Sequence, residues 1–241
     1  MKQRLDHCVV AKGLVGTRSQ AESWIKLGRV TVDGRVVTKP GTFVSMDASL
    51  VLNAPEQYVS RAGLKLASVA NRFEVTFTDS VMLDVGSSTG GFTDYALQHG
   101  ARKVFAVDVG TDQLHPSLIG NERIELHEKT DIRDFTPSSV PNIVVMDVSF
   151  VSLRQILPHI ANIVDTTTDI IAMVKPQFEA SRQQITSGGI VKNDGIRRTI
   201  LKEFEQWTKR YFVIVNKADS EVKGAHGNLE RFYHLRKISK R

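Results

Sequence analysis

The chain has 241 residues, 41% of them apolar and 24% charged, with 17 glycines and a single cysteine. That length fits one large domain or an ordinary domain with a small companion, and the composition excludes disordered, collagenous and coiled-coil classes. The net charge of +6 is uneven, at +3 over residues 1–60, −4 over 61–191 and +7 over 192–241.

Cys8 alone leaves no internal disulfide, cysteine-based zinc cluster or dithiol redox pair, and it fits a reducing compartment. No metal is expected. The longest apolar runs, such as Ile170 to Val174, fall far short of the ~20 residues that cross a bilayer. Asp6, His7 and Lys12 interrupt the basic start, so it does not read as a secretory signal. The expectation is a soluble, cytoplasmic protein with no membrane partner.

The first sixty residues predict two short helices and a hairpin. Leu5, Cys8 and Val9 recur at helical spacing, and Gly13 supplies a stop. Thr17-Arg18-Ser19-Gln20 is a capping box for a second helix, with Ala21 and Ile25 on its buried edge and Gly28 at its end. Asp33-Gly34, flanked by Val30-Thr31-Val32 and Val36-Val37, predicts a type I′ turn. Arg4, Lys12, Arg18, Lys26 and Arg29 fall around one end of the helix pair. On charge alone that cluster is equally a solvated face.

The residue order adds to this. Arg4-Leu5-Asp6, Gly13-Leu14, Thr17-Arg18 with Ala21, Ile25, Gly28 to Gly34 and Lys39-Pro40-Gly41 together resemble the alpha-L RNA-binding domain first described in a ribosomal small-subunit protein. Thr17 stands where that family usually has Ser. The resemblance implies that Arg4, Lys12, Arg18, Lys26 and Arg29 contact phosphates of folded RNA, contacts that position a protein without reading sequence. Asn53 to Tyr58 reads as a linker, giving expected units of 1–59 and 60–241.

From Ser60 the pattern alternates. Ser60 caps a helix with Leu64, Ala67 and Ala70 inward. Strand-like runs follow at Val81 to Val85, Lys103 to Val107, Ile124 to Leu126, Ile143 to Met146, Ile170 to Val174 and Phe212 to Val215. This predicts an α/β fold, a mostly parallel sheet with helices on both faces and ligands beyond the carboxyl ends of its strands.

The loop after the first run is Asp84-Val85-Gly86-Ser87-Ser88-Thr89-Gly90-Gly91-Phe92. It lacks the G-x-G-x-x-G spacing of a dinucleotide site. Asp108, past the second run, is placed to accept from ribose hydroxyls. The loop resembles that of class I (Rossmann-like) S-adenosylmethionine-dependent methyltransferases. The resemblance implies S-adenosyl-L-methionine as cofactor, bound by Asp84, Gly86, Ser87, Ser88, Gly90, Gly91, Phe92 and Asp108, with Asp131 beside the adenine; Asp131 reads equally as a surface acid.

Pyrimidine C5 methylation needs a cysteine nucleophile, and Cys8 lies in the other unit. Exocyclic-amine methylation has a proline-rich motif where this chain has Asp147-Val148-Ser149-Phe150. Lys65, Asp147, Lys175 and Glu230 remain, at the places where strands and helices open toward the site. With Gly188-Gly189-Ile190-Val191, Lys223-Gly224 and Gly227-Asn228-Leu229-Glu230, they make the whole chain resemble the TlyA family, known both as hemolysins and as ribosomal RNA 2′-O-methyltransferases with an FtsJ-like catalytic half. Ala62 and Ser187 depart from residues frequent in that family.

The family implies ribosomal RNA or ribosomal subunits as partner and a cytidine ribose as target, with Arg61 joining the RNA-binding set. A ribose hydroxyl needs a base, and a lysine accepts a proton only as the free amine, which a second cation and partial burial favour. Lys175 is the expected base, Lys65 the second cation, and Asp147 and Glu230 the groups that orient them. Lys192, Arg197, Arg198, Lys202, Lys209 and Arg210 are expected along the RNA path. The other readings are a base methyltransferase, a non-catalytic RNA-binding or assembly factor, and a hemolysin.

Overall fold

The computed structural model describes residues 2–26, 28–53, 58–221 and 227–239. Most of the expected linker, residues 54–57, and the Lys223-Gly224 pair lie outside them. The small unit contains β1 (Lys2–Arg4), α1 (Leu5–Ala11), α2 (Arg18–Lys26), β2 (Val30–Val32), β3 (Arg35–Val36), β4 (Phe43–Ser45) and β5 (Leu50–Leu52). Its local signals act as expected. The Gln20 amide donates to Thr17 Oγ1 at 3.2 Å while Gln20 Oε1 accepts from the Thr17 amide at 3.1 Å, closing the capping box. Asp33 and Gly34 both take positive φ, 50° and 78°, which lets β2 and β3 pair across two residues.

The large unit follows with α3 (Arg61–Ala70), β6 (Val81–Val85), α4 (Gly91–Gln98), β7 (Lys103–Val107), β8 (Ile124–His127), β9 (Ile143–Met146), α5 (Leu153–Ile163), β10 (Asp169–Val174), α6 (Pro176–Glu179), α7 (Asp194–Thr208), β11 (Phe212–Asp219) and β12 (Arg231–Lys237). Seven strands form one sheet in the order β11–β12–β10–β9–β6–β7–β8. Strands β6 to β10 pair in parallel, and β12 runs antiparallel to both of its neighbours. The expected fold class holds. Two details differ: β11 continues past Val215 to Asp219, and β12 had no sequence signal recognised as a strand.

Alternating strand residues divide the core between the two faces of the sheet. Met82, Val104, Ala106, Val145 and Ile171 pack in one cluster with Leu64, Leu66 and Val69 of α3 and Tyr95 and Ala96 of α4. Leu83, Phe105, Val107, Val144, Met146 and Ala172 pack in the other with Leu153, Ile156, Leu157 and Ile160 of α5 and Phe204 of α7. The first cluster is continuous with Leu5, Val9, Trp24 and Ile25 of the small unit, so the two units share apolar packing. On α3, Leu66 and Val69 join Leu64 and Ala70 inside, whereas the expected Ala67 is half-buried. Among the described residues no helix is long and apolar enough to cross a membrane.

Phe105 is fully buried and Val213, on the edge strand β11, is 54% exposed. Phe105→Ala is expected to lower the unfolding free energy by about 3–5 kcal/mol through lost burial and an unfilled cavity, and Val213→Ala by under about 1 kcal/mol; urea denaturation of both variants checks the contrast.

Candidate active site

The parallel strands all end on one side, and the predicted residues gather there. Asp84 lies within β6, Asp108 directly follows β7, Asp147 directly follows β9 and Lys175 directly follows β10. Because β9 and β10 are neighbours in parallel register, Asp147 and Lys175 emerge side by side. Lys175 Nζ lies 2.6 Å from Asp147 Oδ1 and donates to Ser149 Oγ at 2.7 Å. Lys65 enters from α3, whose N-terminus is fixed by Ser60 Oγ accepting from the Ala62 amide. Its Nζ donates to Glu230 Oε2 at 2.6 Å, a pair almost wholly out of solvent.

Lys65, Asp147 and Lys175 line one cavity of about 320 Å³, and Glu230 joins it through Lys65. The expected four residues thus meet. Each lysine has a carboxylate of its own at 2.6 Å, Glu230 for Lys65 and Asp147 for Lys175, so neither stands as a bare cation beside the other. Ser149, which lies within a motif read only for its missing prolines, is a polar partner that the sequence reading passed over.

A second cavity of about 450 Å³ adjoins the first, and Gly86, Ser88, Asp147 and Ser149 line both. Asp108 and Asp131 line only the second. Asp108 is held by backbone amides: Ser88 donates to Oδ2 at 2.8 Å and Gly110 to Oδ1 at 2.7 Å. Asp131 accepts from Arg133 Nε at 2.9 Å and Nη2 at 2.6 Å, which holds its carboxyl at about 2. It is therefore both an ion-paired acid and a cavity wall.

The loop between β6 and α4 depends on its glycines. Gly86 has φ +79°, and a Cβ there would stand 3.0 Å from the Asp147 carbonyl oxygen; Gly90 has φ +85°, and a Cβ would stand 2.5 Å from Leu118 Cδ1. A Cβ on Gly91 would collide with Ser60 Oγ. Phe92 is buried against Phe232, 6.3 Å between ring centres.

Asp84 is 1% exposed; Oδ2 accepts from Thr93 Oγ1 at 2.7 Å, and Oδ1 has no hydrogen-bond partner among the described residues. Ser87 Oγ is likewise buried without one. Both residues line the first cavity, so the buried polar atoms fit a ligand that brings a donor to them. Burial pushes the Asp84 carboxyl up to about 7, with Asp147 and Asp108 adding to the rise and Thr93 opposing it.

The basic residues divide into several groups. Arg4 Nη2 and Arg18 Nε both lie 2.9 Å from Oδ2 of fully buried Asp6, leaving two guanidinium groups fixed at the surface. Lys12 donates to the Ala48 carbonyl, Lys26 pairs with Glu22 at 3.6 Å, and Arg29 is exposed. Arg61 lines the first cavity beside Lys65. Arg197 is corrected: it donates to the Leu229 carbonyl and to Asp219 and is 11% exposed, so it braces the segment before Glu230 and does not face RNA. Lys209 and Arg210 are corrected too, because they directly precede β11, which starts at the far end of the sheet from Lys175.

Sequence reading also missed Thr17 and Gln20, which line the first cavity although they belong to the small unit. Their only signal, the capping box, carries no hint of that placement.

Comparison with known proteins matches residues 58–237 to the FtsJ-like methyltransferase family and residues 3–49 to the S4 domain. The Mycobacterium tuberculosis 16S/23S rRNA (cytidine-2′-O)-methyltransferase TlyA is 36% identical over 98% of this chain and 90% of its own length. Hemolysin A of Brachyspira hyodysenteriae is 36% identical over 96% of this chain and 99% of its own. A solved structure from Streptococcus thermophilus, described under the hemolysin label, is 37% identical, with a TM-score of 0.74 over 99% of this chain and 90% of that one.

The Asp84 carboxyl gives a pH signature. With its native value near 7 against an ordinary 3.8, the folded state binds the proton more tightly than the unfolded state. Its contribution to stability is therefore full below about pH 4 and is lost as pH rises through 7, a change of order 4 kcal/mol. Asp84→Asn should remove this term, so that the variant gains on wild type in thermal melts as pH rises from 5 to 8; a difference that does not change with pH contradicts the assignment.

Proposed function

Because the chain belongs to the TlyA family of FtsJ-like methyltransferases with an N-terminal S4 domain, we propose that it transfers a methyl group from S-adenosyl-L-methionine to a cytidine ribose 2′-hydroxyl of ribosomal RNA. The observation that carries this reading is the pairing of Lys175 with Asp147 and of Lys65 with Glu230 around one cavity that opens onto the glycine loop. When bound, S-adenosyl-L-methionine supplies an electrophilic methyl on a sulfonium centre. Asp108 and Asp131, with Gly86 and Ser88, would hold its nucleoside part in the second cavity, and Asp84 and Ser87 its polar remainder at their buried oxygens.

The residues of the chain then have separable roles. Lys175 Nζ acts in its free-amine form, taking the proton from the 2′-hydroxyl as that oxygen attacks, and Asp147 and Ser149 hold the amine at the cavity wall. Lys65, fixed by Glu230, places a positive charge at the same wall, where the alkoxide character of the attacking oxygen develops. The S4 domain holds the RNA through Arg4 and Arg18, fixed by Asp6, with Lys12, Lys26 and Arg29 around them and Arg61 at the cavity mouth. In this reading the RNA-facing cations near the site are Lys192, two residues before α7, and Arg198, within it, both exposed.

Lys175→Ala is expected to lower methyl transfer at saturating RNA and cofactor by about 10²–10⁴-fold while calorimetric binding of S-adenosyl-L-methionine persists. Wild-type transfer by this variant overturns the base assignment. Absence of any cofactor binding by the wild-type protein overturns the enzyme reading itself. Since a protonated Asp84 offers the cofactor one acceptor fewer and no charge, its affinity should weaken as pH falls below about 7; calorimetry at pH 6 and 8 reads this.

A further inference from the structure

Gln20 performs two tasks with one amide group. Its Oε1 accepts from the Gly16 and Thr17 amides, at 3.0 and 3.1 Å, and so starts α2; its Nε2 donates to the Tyr58 carbonyl oxygen. Tyr58 is buried at the point where the S4 domain hands over to the catalytic half. It presses on Gly63 of α3 so closely that a Cβ there would lie 2.5 Å from Tyr58 Cβ and Cγ, and Lys65 follows two residues later. Val59, next in the chain, donates to Asp94 Oδ2 of α4 at 2.7 Å, three residues beyond Gly91 of the glycine loop. Gln20 and Thr17 also line the cavity that holds Lys65, Asp147 and Lys175. Arg18, between them in sequence, is 54% exposed and fixed to Asp6.

One helical turn therefore presents an arginine to the outside, walls the reaction cavity and grips the joint to both α3 and α4. We propose that Gln20 is a positioning residue that locks the RNA-binding helix to the catalytic half, so that the S4 domain supplies one wall of the reaction cavity. The proposal rests on the methyl-transfer reading above. Its physical basis is alignment: RNA held at Arg18 reaches Lys175 in a geometry set by this joint, and displacement of about 1 Å at a reacting centre costs on the order of 10²-fold in rate. Loss of the lock should lower kcat and leave RNA and cofactor affinity nearly unchanged.

Two substitutions in the full chain separate the tasks of Gln20. Gln20→Glu keeps the oxygen that caps α2 but replaces the donor with an oxygen facing the Tyr58 carbonyl. Gln20→Lys keeps a donor within reach of Tyr58 but loses the oxygen that accepts from the Gly16 and Thr17 amides. With ribosomal RNA as substrate, Gln20→Glu is expected to lower kcat at least about tenfold, with KM for RNA and the dissociation constant for S-adenosyl-L-methionine within about twofold of wild type; Gln20→Lys should retain more kcat than Gln20→Glu. Hydrogen exchange, which needs no activity, should accelerate over residues 58–66 in Gln20→Glu while α2 keeps its protection. The proposal fails if Gln20→Glu turns over at the wild-type rate, if its loss lies in the RNA KM alone, or if Gln20→Lys is the slower variant, which would assign the effect to capping. A wild-type protein that methylates no ribosomal RNA sinks the functional reading, whereas an active wild type with a fast Gln20→Glu sinks only this one.

Discussion

Two lysines share the wall of one small cavity, a placement opposed by like-charge repulsion and by the cost of withdrawing charge from water. The fold meets both costs by giving each lysine a carboxylate at 2.6 Å, Asp147 for Lys175 and Glu230 for Lys65. These pairs are built differently. Asp147 and Lys175 follow adjacent parallel strands, so their proximity is a property of the sheet. Lys65 comes from the first helix of the catalytic half and Glu230 from the segment before its final strand, so their meeting joins the two ends of that half. Other braces serve the second pair: Arg197 holds the Leu229 carbonyl, Asn228 Oδ1 accepts from the Val191 amide, and Ser220 donates its amide to the Glu230 carbonyl.

The same end of the sheet manages an excess of acid. Asp84 is buried beneath the glycine loop, and its carboxyl sits near 7 because of that burial. Asp108 is instead held by two backbone amides and Asp131 by Arg133, so three acids at or beyond the carboxyl ends of β6, β7 and β8 experience three different environments. Gly86 lies where the two cavities meet, and its missing side chain keeps the Asp147 carbonyl accessible to the loop. A larger residue there would both strain the backbone and obstruct the passage from one cavity to the other.

Legibility in the sequence followed the locality of each signal. The Asp33-Gly34 turn, the Thr17 capping box, the Ser60 cap and the parallel strands depend on neighbours within a few residues, and the structure has them where the pattern puts them. Strand β12 was missed because Phe232, Tyr233, His234 and Leu235 are all buried, on both faces of the sheet, so no alternation marks them, and Arg231, Arg236 and Lys237 make the segment read as a basic tail. The burial of His234 depends on Asp169, 2.7 Å away and on another strand. The basic residues of α7 show the same limit. A run of positive charge has no direction, and only the topology reveals that Arg197 turns inward and that Lys209 and Arg210 stand at the opposite end of the sheet. For the candidate site, the residue types were legible through family resemblance, but which acid serves which lysine was not.

The separation of 165 residues between Lys65 and Glu230 has a bearing on quality control. Loop-closure entropy opposes a contact of such range and places it among the slower ones to form. Strand β12, which carries Glu230 into position, inserts between β10 and β11 and does not simply add to an edge. A chain whose sheet lacks β12 would thus leave buried Lys65 without its acid partner, so completion of the candidate site coincides with completion of the sheet.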